Sequence, residues 1–305
     1  MAVTPNPFTN RGMITTAEDF FGRQRQIEKI ITRLRTMQCA SLVGERRIGK
    51  SSLLYHLMQT GAARLGDANY RFLYFDLQEA ALHTAPGFLK TILSKLGAPA
   101  KTINADEPLN RNLSAFGDQI VALGQTGERI VLCLDEFENA LKHRAQFDED
   151  FFDHLRSMLN ARRLAIVTAT QRTLQALSLE GKLTSPFYNV FTVVELKEFT
   201  EAEAHQFIAA YHQRVGFTDD ELKFVFSYLD RHPLKLQIVC DLVMENRQEQ
   251  WSDWALAEEI AKEYGNFFVG KFNSKQLLKA KKAFSLDKIK KLLDTLKAGR
   301  DIFKG

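Results

Sequence analysis

An α/β core built on a parallel sheet, followed by a small all-helical unit and a basic C-terminal helix, is the fold class this sequence predicts. Three observations carry that expectation. Strand-like apolar runs alternate with helical runs between residues 17 and 196, the pattern of a parallel sheet covered on both faces. The first of these runs leads through a glycine-rich loop into a helix. After Leu196 the strand pattern stops and only helical periodicity continues.

Taken in order, residues 1–16 read as a Pro/Asn-containing arm, 17–196 as the α/β core, 197–265 as a helical lid and 266–305 as a basic amphipathic segment. Ile27, Ile30, Ile31 and Leu34 fall at helical spacing. The strand-like runs are Gln38–Val43, Tyr70–Leu77, Arg129–Leu134, Leu164–Thr170 and Phe191–Leu196. Helical stretches such as Phe88–Leu96 and Asp148–Leu159 separate them, the latter with one apolar face of Phe151, Phe152, Leu155, Met158 and Leu159. Beyond Leu196, Thr200 with Glu203 and Thr218 with Glu221 are two capping boxes, each opening a helix. A third helix starts at Pro233, because proline suits a first turn and pushes the preceding His232 out of helical geometry. A fourth follows Ser252.

With 305 residues and 45% apolar content, the chain supports one large or two modest domains with a sizeable core. Cys39, Cys133 and Cys240 lie far apart, without metal or disulfide spacing, and read as buried small side chains in a reducing compartment. No run is long enough to cross a bilayer, and the N-terminus lacks the pattern of a secretion signal, so a cytoplasmic protein is expected. Net charge is +4 but uneven: residues 270–305 carry a net +8 and the remainder is mildly acidic.

The chemistry is concentrated in a few short stretches. Gly44-Glu45-Arg46-Arg47-Ile48-Gly49-Lys50-Ser51 reads G-x-x-x-x-G-K-S between a strand and a helix, the context that motif requires. Its glycines let successive amides turn inward on phosphates, and the helix N-terminus adds positive potential. Gly44, Arg47, Ile48, Gly49, Lys50, Ser51 and Ser52 are therefore the candidate phosphate-binding residues, with Lys50 reaching the β- and γ-phosphates and Ser51 ligating Mg²⁺. Val131-Leu132-Cys133-Leu134-Asp135-Glu136 is an apolar strand ending in two acids. Asp135 would hold Mg²⁺ and Glu136 would polarise an attacking water.

A further strand runs into Thr168-Ala169-Thr170-Gln171-Arg172, and its tip is expected beside the two acids. Thr170, or Gln171 next to it, would feel the γ-phosphate; a threonine used only for its β-propensity is the competing reading. Arg172 would contact that phosphate in the same subunit. Arg162 and Arg163 would face a neighbouring subunit's nucleotide, or simply meet water. Ahead of the first helix, Phe20-Phe21-Gly22-Arg23 offers Phe21 and the glycine backbone to a flat base, with Pro233 on the base's other side.

Together these stretches resemble the ATPases of the AAA+ and STAND groups. "FFGR" followed by Glu28, "LVGERRIGKSSLL", "LCLDEFE", the Thr-Gln-Arg after the fourth strand and "RHPLKLQ" occur in that family's order, over roughly residues 5 to 250. The chain is similar to bacterial AAA-like STAND-type proteins, to archaeal-type ATPases and to origin-recognition ATPases. The resemblance implies a five-stranded parallel core with an extra strand between the two Walker strands. It also implies a helical lid that closes on adenine and moves with ATP, often with assembly into oligomers. Two positions depart from the pattern: Asn189 stands where related archaeal-type ATPases often carry arginine, and Arg231-His232-Pro233 stands where STAND lids usually read Gly-x-Pro.

In the tail, Phe284, Ile289, Leu292, Leu293 and Leu296 share one helical face among Lys288, Lys290, Lys291 and Lys297, with Ser285 as N-cap. Such a helix docks on protein, lies on an anionic membrane surface, neutralises nucleic-acid phosphates or stays solvated. The expected function is an ATP-binding switch with slow Mg²⁺-dependent hydrolysis. An origin-recognition-like DNA-binding protein and a nucleotide-binding scaffold with negligible turnover are the alternatives.

Overall fold

The computed structural model describes residues 6–99, 101–227 and 230–268; the tail helix expected around Phe284 to Lys297 lies outside them. The described chain forms two units. One comprises residues 14–20 and 24–196, and the other residues 6–13, 21–23 and 197–268.

In the first unit the chain runs α1 (Gln24–Leu34), β1 (Cys39–Val43), α2 (Lys50–Leu65), β2 (Tyr70–Asp76), α3 (Ala85–Lys95) and α4 (Leu109–Gln125). It continues through β3 (Arg129–Asp135), α5 (Glu138–Lys142), α6 (Glu149–Asn160), β4 (Ala165–Thr170), α7 (Leu174–Glu180) and β5 (Phe191–Glu195). All strand pairs are parallel, in the order β2-β3-β4-β1-β5. The extra strand expected between the two Walker strands is β4, which pairs with β1 on one side and β3 on the other. β4 is buried along its whole length and β3 from Ile130 onward, as central parallel strands covered on both faces must be.

Two apolar clusters supply those covers. Phe88, Leu89, Phe116, Ile120, Phe151 and Phe152 from α3, α4 and α6 pack on one face of the sheet. Ile27, Ile30, Leu53, Leu54 and Leu57 from α1 and α2 pack on the other. The result is a three-layer α/β unit, and the apolar face read for residues 148–159 is the buried face of α6.

The observed strands differ from the sequence reading by one residue at some ends. The helix expected from Phe88 begins three residues earlier, because Thr84 accepts a hydrogen bond from the Gly87 amide and Pro86 occupies the first turn. α4 has no side-chain N-cap to announce it. The three cysteines are free and buried, and burial pushes the Cys39 and Cys133 thiols up to about 12.

The second unit is helical: α8 (Glu201–Val215), α9 (Asp219–Ser227), α10 (Pro233–Glu249) and α11 (Asp253–Phe267). Its start signals act as the sequence suggests. Thr200 and Glu203 form a reciprocal capping box, as do Thr218 and Glu221. His232 is extended before Pro233, and Ser252 accepts from the Ala255 amide. Phe8, Phe207, Tyr211, Ile238 and Tyr264 contribute to one apolar core.

Candidate functional site

Backbone hydrogen bonds at the C-terminal ends of the strands gather the candidate residues of the sheet unit. The Gly44 amide donates to the Thr170 carbonyl (3.3 Å), Phe137 to Ala169 (3.1 Å) and Leu77 to Asp135 (3.1 Å). The loop after β1, the acids after β3 and the tip of β4 are thereby held at one end of the sheet, where open parallel sheets bind ligands.

The loop from Gly44 to Ser51 is shaped by two glycines. A Cβ on Gly44 would lie 2.6 Å from the Leu196 carbonyl oxygen and 2.9 Å from Ile48, so no larger residue fits without movement. Gly49 sits at φ 98° as the N-cap of α2 and supplies no side-chain cap, the feature by which helix starts take up an anion. Arg47, exposed, adopts φ 63°. Ile48 is fully buried and anchors the loop in the core beneath it. Lys50 is 7% exposed and its ammonium donates to the Gly44 and Glu45 carbonyls, both at 2.8 Å. The Ser52 hydroxyl accepts from the Ile14 amide at 3.0 Å and so ties the segment before α1 to α2.

At the tip of β3, Asp135 is buried and oriented from two sides. Its Oδ1 accepts from the Glu136 amide (3.0 Å) and its Oδ2 from the Tyr74 hydroxyl (2.9 Å). Glu136 is held at φ 48°, a conformation uncommon for a side chain of that size and frequent at functional sites. Glu138 follows at the start of α5, 5% exposed; its Oε1 accepts from the Gln171 amide at 3.4 Å.

The charges act on one another across this space. Burial lowers the Lys50 ammonium from its ordinary value, while Glu136, Glu138 and Asp135 act to raise it. Burial raises the Glu136 carboxyl, helped by Glu138 and Asp135 and opposed by Lys50. Burial and the neighbouring Asp135 push the Tyr74 phenol up, so it remains a hydrogen-bond donor to that carboxylate.

Not every candidate points into this cluster. The Thr170 side chain is buried and its hydroxyl donates to the Arg172 carbonyl at 2.7 Å. Arg172 pairs with Glu180. Arg162 and Arg163 precede β4, at the opposite end of the parallel sheet from Lys50, where they line a groove of about 730 Å³ with Arg35 and Arg129.

Phe21, Gly22, Arg23 and Pro233 belong to the helical unit. There Phe21 packs on Phe207 and Tyr211. Gly22 and Arg23 have φ of 69° and 66°. Arg23 is 3% exposed, donates to the Lys197 carbonyl at 2.6 Å and lies over the Phe199 ring. Pro233 forms the first turn of α10.

Tyr74 and Glu138 are the members of this cluster that the sequence reading does not name. Tyr74 is detectable only once the β2–β3 register is known, with Tyr74 beside Cys133 and Asp76 beside Asp135. Glu138 is spaced two residues after Glu136, like any acid at the start of a helix.

The donor set suits a hard cation. Ser51 and Asp135 offer a hydroxyl and a carboxylate, the oxygen ligands Mg²⁺ takes alongside phosphate oxygens and water. Among the described residues, no group of three or more His, Cys, Asp or Glu side chains forms a metal cage. None of the described helices is long and apolar enough to cross a membrane.

Comparison with solved structures gives the same fold. The Walker-type ATPase of Pyrococcus abyssi superposes with a TM-score of 0.59 at 16% identity, covering 90% of this chain and 93% of that one. The ORC2 protein of Aeropyrum pernix, in ADPNP and ADP complexes, gives 0.58 at 12% identity over 97% of this chain and 98% of that one. The CDC6P protein of Pyrobaculum aerophilum gives 0.55 at 14% identity over 84% and 69%. At such identities the likeness is one of fold. No curated protein sequence gives a significant match. The family model described as Novel STAND NTPase 2 matches residues 37–260, from the start of β1 to α11. On that match over most of its length, the chain belongs to the novel STAND NTPase 2 family.

Proposed function

We propose that this protein is an ATP-binding switch with slow Mg²⁺-dependent hydrolysis. The observation that carries the reading is that backbone bonds hold the Gly44–Ser51 loop and the acid-bearing turn after β3 to the tip of β4, with Glu136, Glu138 and Asp135 all acting on the Lys50 charge. Buried charges of both signs around a glycine-shaped loop are costly to maintain without a ligand to meet them.

In this reading the loop amides and Lys50 hold the β- and γ-phosphates, while Ser51 and Asp135 hold the cation. Mg²⁺, when bound, neutralises charge on the phosphate oxygens. Glu136 takes a proton from the attacking water. The new oxygen–phosphorus bond forms as the bond to the β-phosphate oxygen breaks, giving ADP and phosphate. Tyr74 keeps Asp135 oriented throughout. Burial raises the Glu136 carboxyl of the free protein, so the acid limb of kcat/KM, which reports the free enzyme, is expected above the ordinary glutamate range. A pH–rate profile with its acid limb at ordinary glutamate values would remove Glu136 from that role.

Phosphate release with Mg²⁺ and ATP tests the chemistry. Glu136→Gln is expected to lose turnover by about 100-fold or more while still binding ATP. Equal, near-zero turnover in both proteins would favour a scaffold that binds without hydrolysing. The switch output in this reading is conformational change or self-association. It is checked by mass measurement in ADP and in a non-hydrolysable ATP analogue, with and without residues 270–305. Origin-recognition-like DNA binding is supported by the net +8 of that segment and would appear as affinity falling steeply with salt.

A further inference from the structure

Glu138 is not used by the mechanism above, yet it is among the most buried ionisable groups in the sheet unit, at 5% exposure. Its two oxygens are unequally satisfied. Oε1 accepts from the Gln171 amide (3.4 Å), so it fastens the turn between β4 and α7 to the acid-bearing turn after β3. Oε2 is buried without a hydrogen-bond partner among the described residues. A buried carboxylate oxygen left in that state is destabilising, and native structures keep such groups chiefly where a ligand, ion or water completes them.

The chemistry of that missing partner is narrow. An ionised carboxylate only accepts hydrogen bonds, and a triphosphate offers no donor, so the phosphate chain that Lys50 would meet cannot fill the position. Lys50 is close enough for its charge to interact with Glu138, but its ammonium donates to the Gly44 and Glu45 carbonyls. In the proposed complex it turns to the phosphates. The donor that remains is water polarised by the cation. Mg²⁺ keeps several waters when it binds through one or two protein oxygens, and buried acceptors around such a site tune its affinity.

We propose that Glu138 is a third carboxylate of the nucleotide site, a positioning residue whose Oε1 holds the β4–α7 turn and whose Oε2 accepts a hydrogen bond from water of the hydrated divalent cation. The proposal rests on the nucleotide reading above and assigns to this residue the metal dependence of that site. It separates the roles of three neighbouring acids: Asp135 on the cation, Glu136 on the attacking water, Glu138 on the cation's hydration shell.

The test is calorimetric titration of Mg²⁺ into the full chain at a fixed concentration of a non-hydrolysable ATP analogue, with the metal-free affinity for that analogue measured separately. Glu138→Gln is expected to raise the Mg²⁺ concentration required by about tenfold, with metal-free affinity unchanged or higher because a negative charge near the triphosphate is gone. Glu138→Asp keeps the charge but withdraws it by one methylene; it should shift the Mg²⁺ requirement the same way and serves where the Gln variant does not fold. An unchanged Mg²⁺ requirement in a wild type that does bind the analogue would overturn the proposal alone. An equal loss of affinity with and without Mg²⁺ would also overturn it, because that is what a purely structural role predicts. No uptake of the analogue by wild type would overturn it together with the nucleotide reading.

Discussion

The two units solve the same problem of ordering a chain with opposite treatment of polar groups. In the helical unit three of the four described helices open on side-chain caps and buried charges are matched, although Arg23 and Gln250 adopt positive φ. Arg247 pairs with Glu221, and Asp241 is matched by Arg11 and Asn6. In the sheet unit, which has departures elsewhere too, several fall close together at the tips of β1 and β3. α2 opens without a side-chain cap, Arg47 and Glu136 adopt positive φ, and Glu138 keeps a buried oxygen without a partner. Departures from local rules that cluster beside a set of buried charges mark where a ligand is to be met.

That contrast can be broken by experiment, because both tryptophans, Trp251 and Trp254, lie in the helical unit and report its unfolding separately. The largest expected effect is Ile238→Ala. Ile238 is fully buried in the helical core, and truncation should cost about 2–5 kcal/mol in urea melts followed by tryptophan fluorescence. Arg23→Ala should cost about 2 kcal/mol in the same assay, since it removes a buried guanidinium that bonds the Lys197 carbonyl. A variant as stable as wild type would reassign Arg23 from structure to ligand. Thr200→Ala, which removes one half of a capping box, should cost about 1 kcal/mol.

The smallest effect should have the opposite sign. Glu136→Gln is expected to raise the thermal stability of the sheet unit at neutral pH, measured by far-UV melting. The folded state raises the carboxyl above its ordinary value, so it favours the protonated form, and stability is lost as pH rises through the folded value. The advantage of the variant should therefore open with rising pH through that range and close in acid. A variant less stable than wild type at neutral pH would mean that the acids at the strand tips are structural, and the contrast between the units would fail.

Much of this organisation was legible in the sequence, for physical reasons that also explain what was not. Strands were visible because central parallel strands must be apolar throughout, as Ile130 to Leu134 and Ala165 to Ala169 are. The helical unit was visible because caps are local: Thr200 with Glu203, and Thr218 with Glu221, are three residues apart. The loop from Gly44 to Ser51 was visible because a backbone turned inward on phosphates tolerates few sequences. Tyr74 and Glu138 were invisible because their meaning depends on which strand lies beside which. The β2–β3 register sets Tyr74 beside Cys133, from where its hydroxyl reaches Asp135, and the Phe137–Ala169 bond brings Glu138 to the β4 turn. α4 was missed because Pro108 precedes it without a side-chain cap and Gly117 and Gly124 interrupt its sequence.

In the proposed complex a triphosphate is gripped by the loop around Lys50 and faced by Asp135 through a cation. Titration calorimetry of the full chain with ATP in Mg²⁺ tests it most directly, with Lys50→Ala alongside. Wild type should take up one ATP per chain, and the variant should lose at least about 100-fold in affinity, close to 3 kcal/mol, with its far-UV spectrum unchanged. No ATP uptake by correctly folded wild type, or equal affinity in the two proteins, would rule that arrangement out.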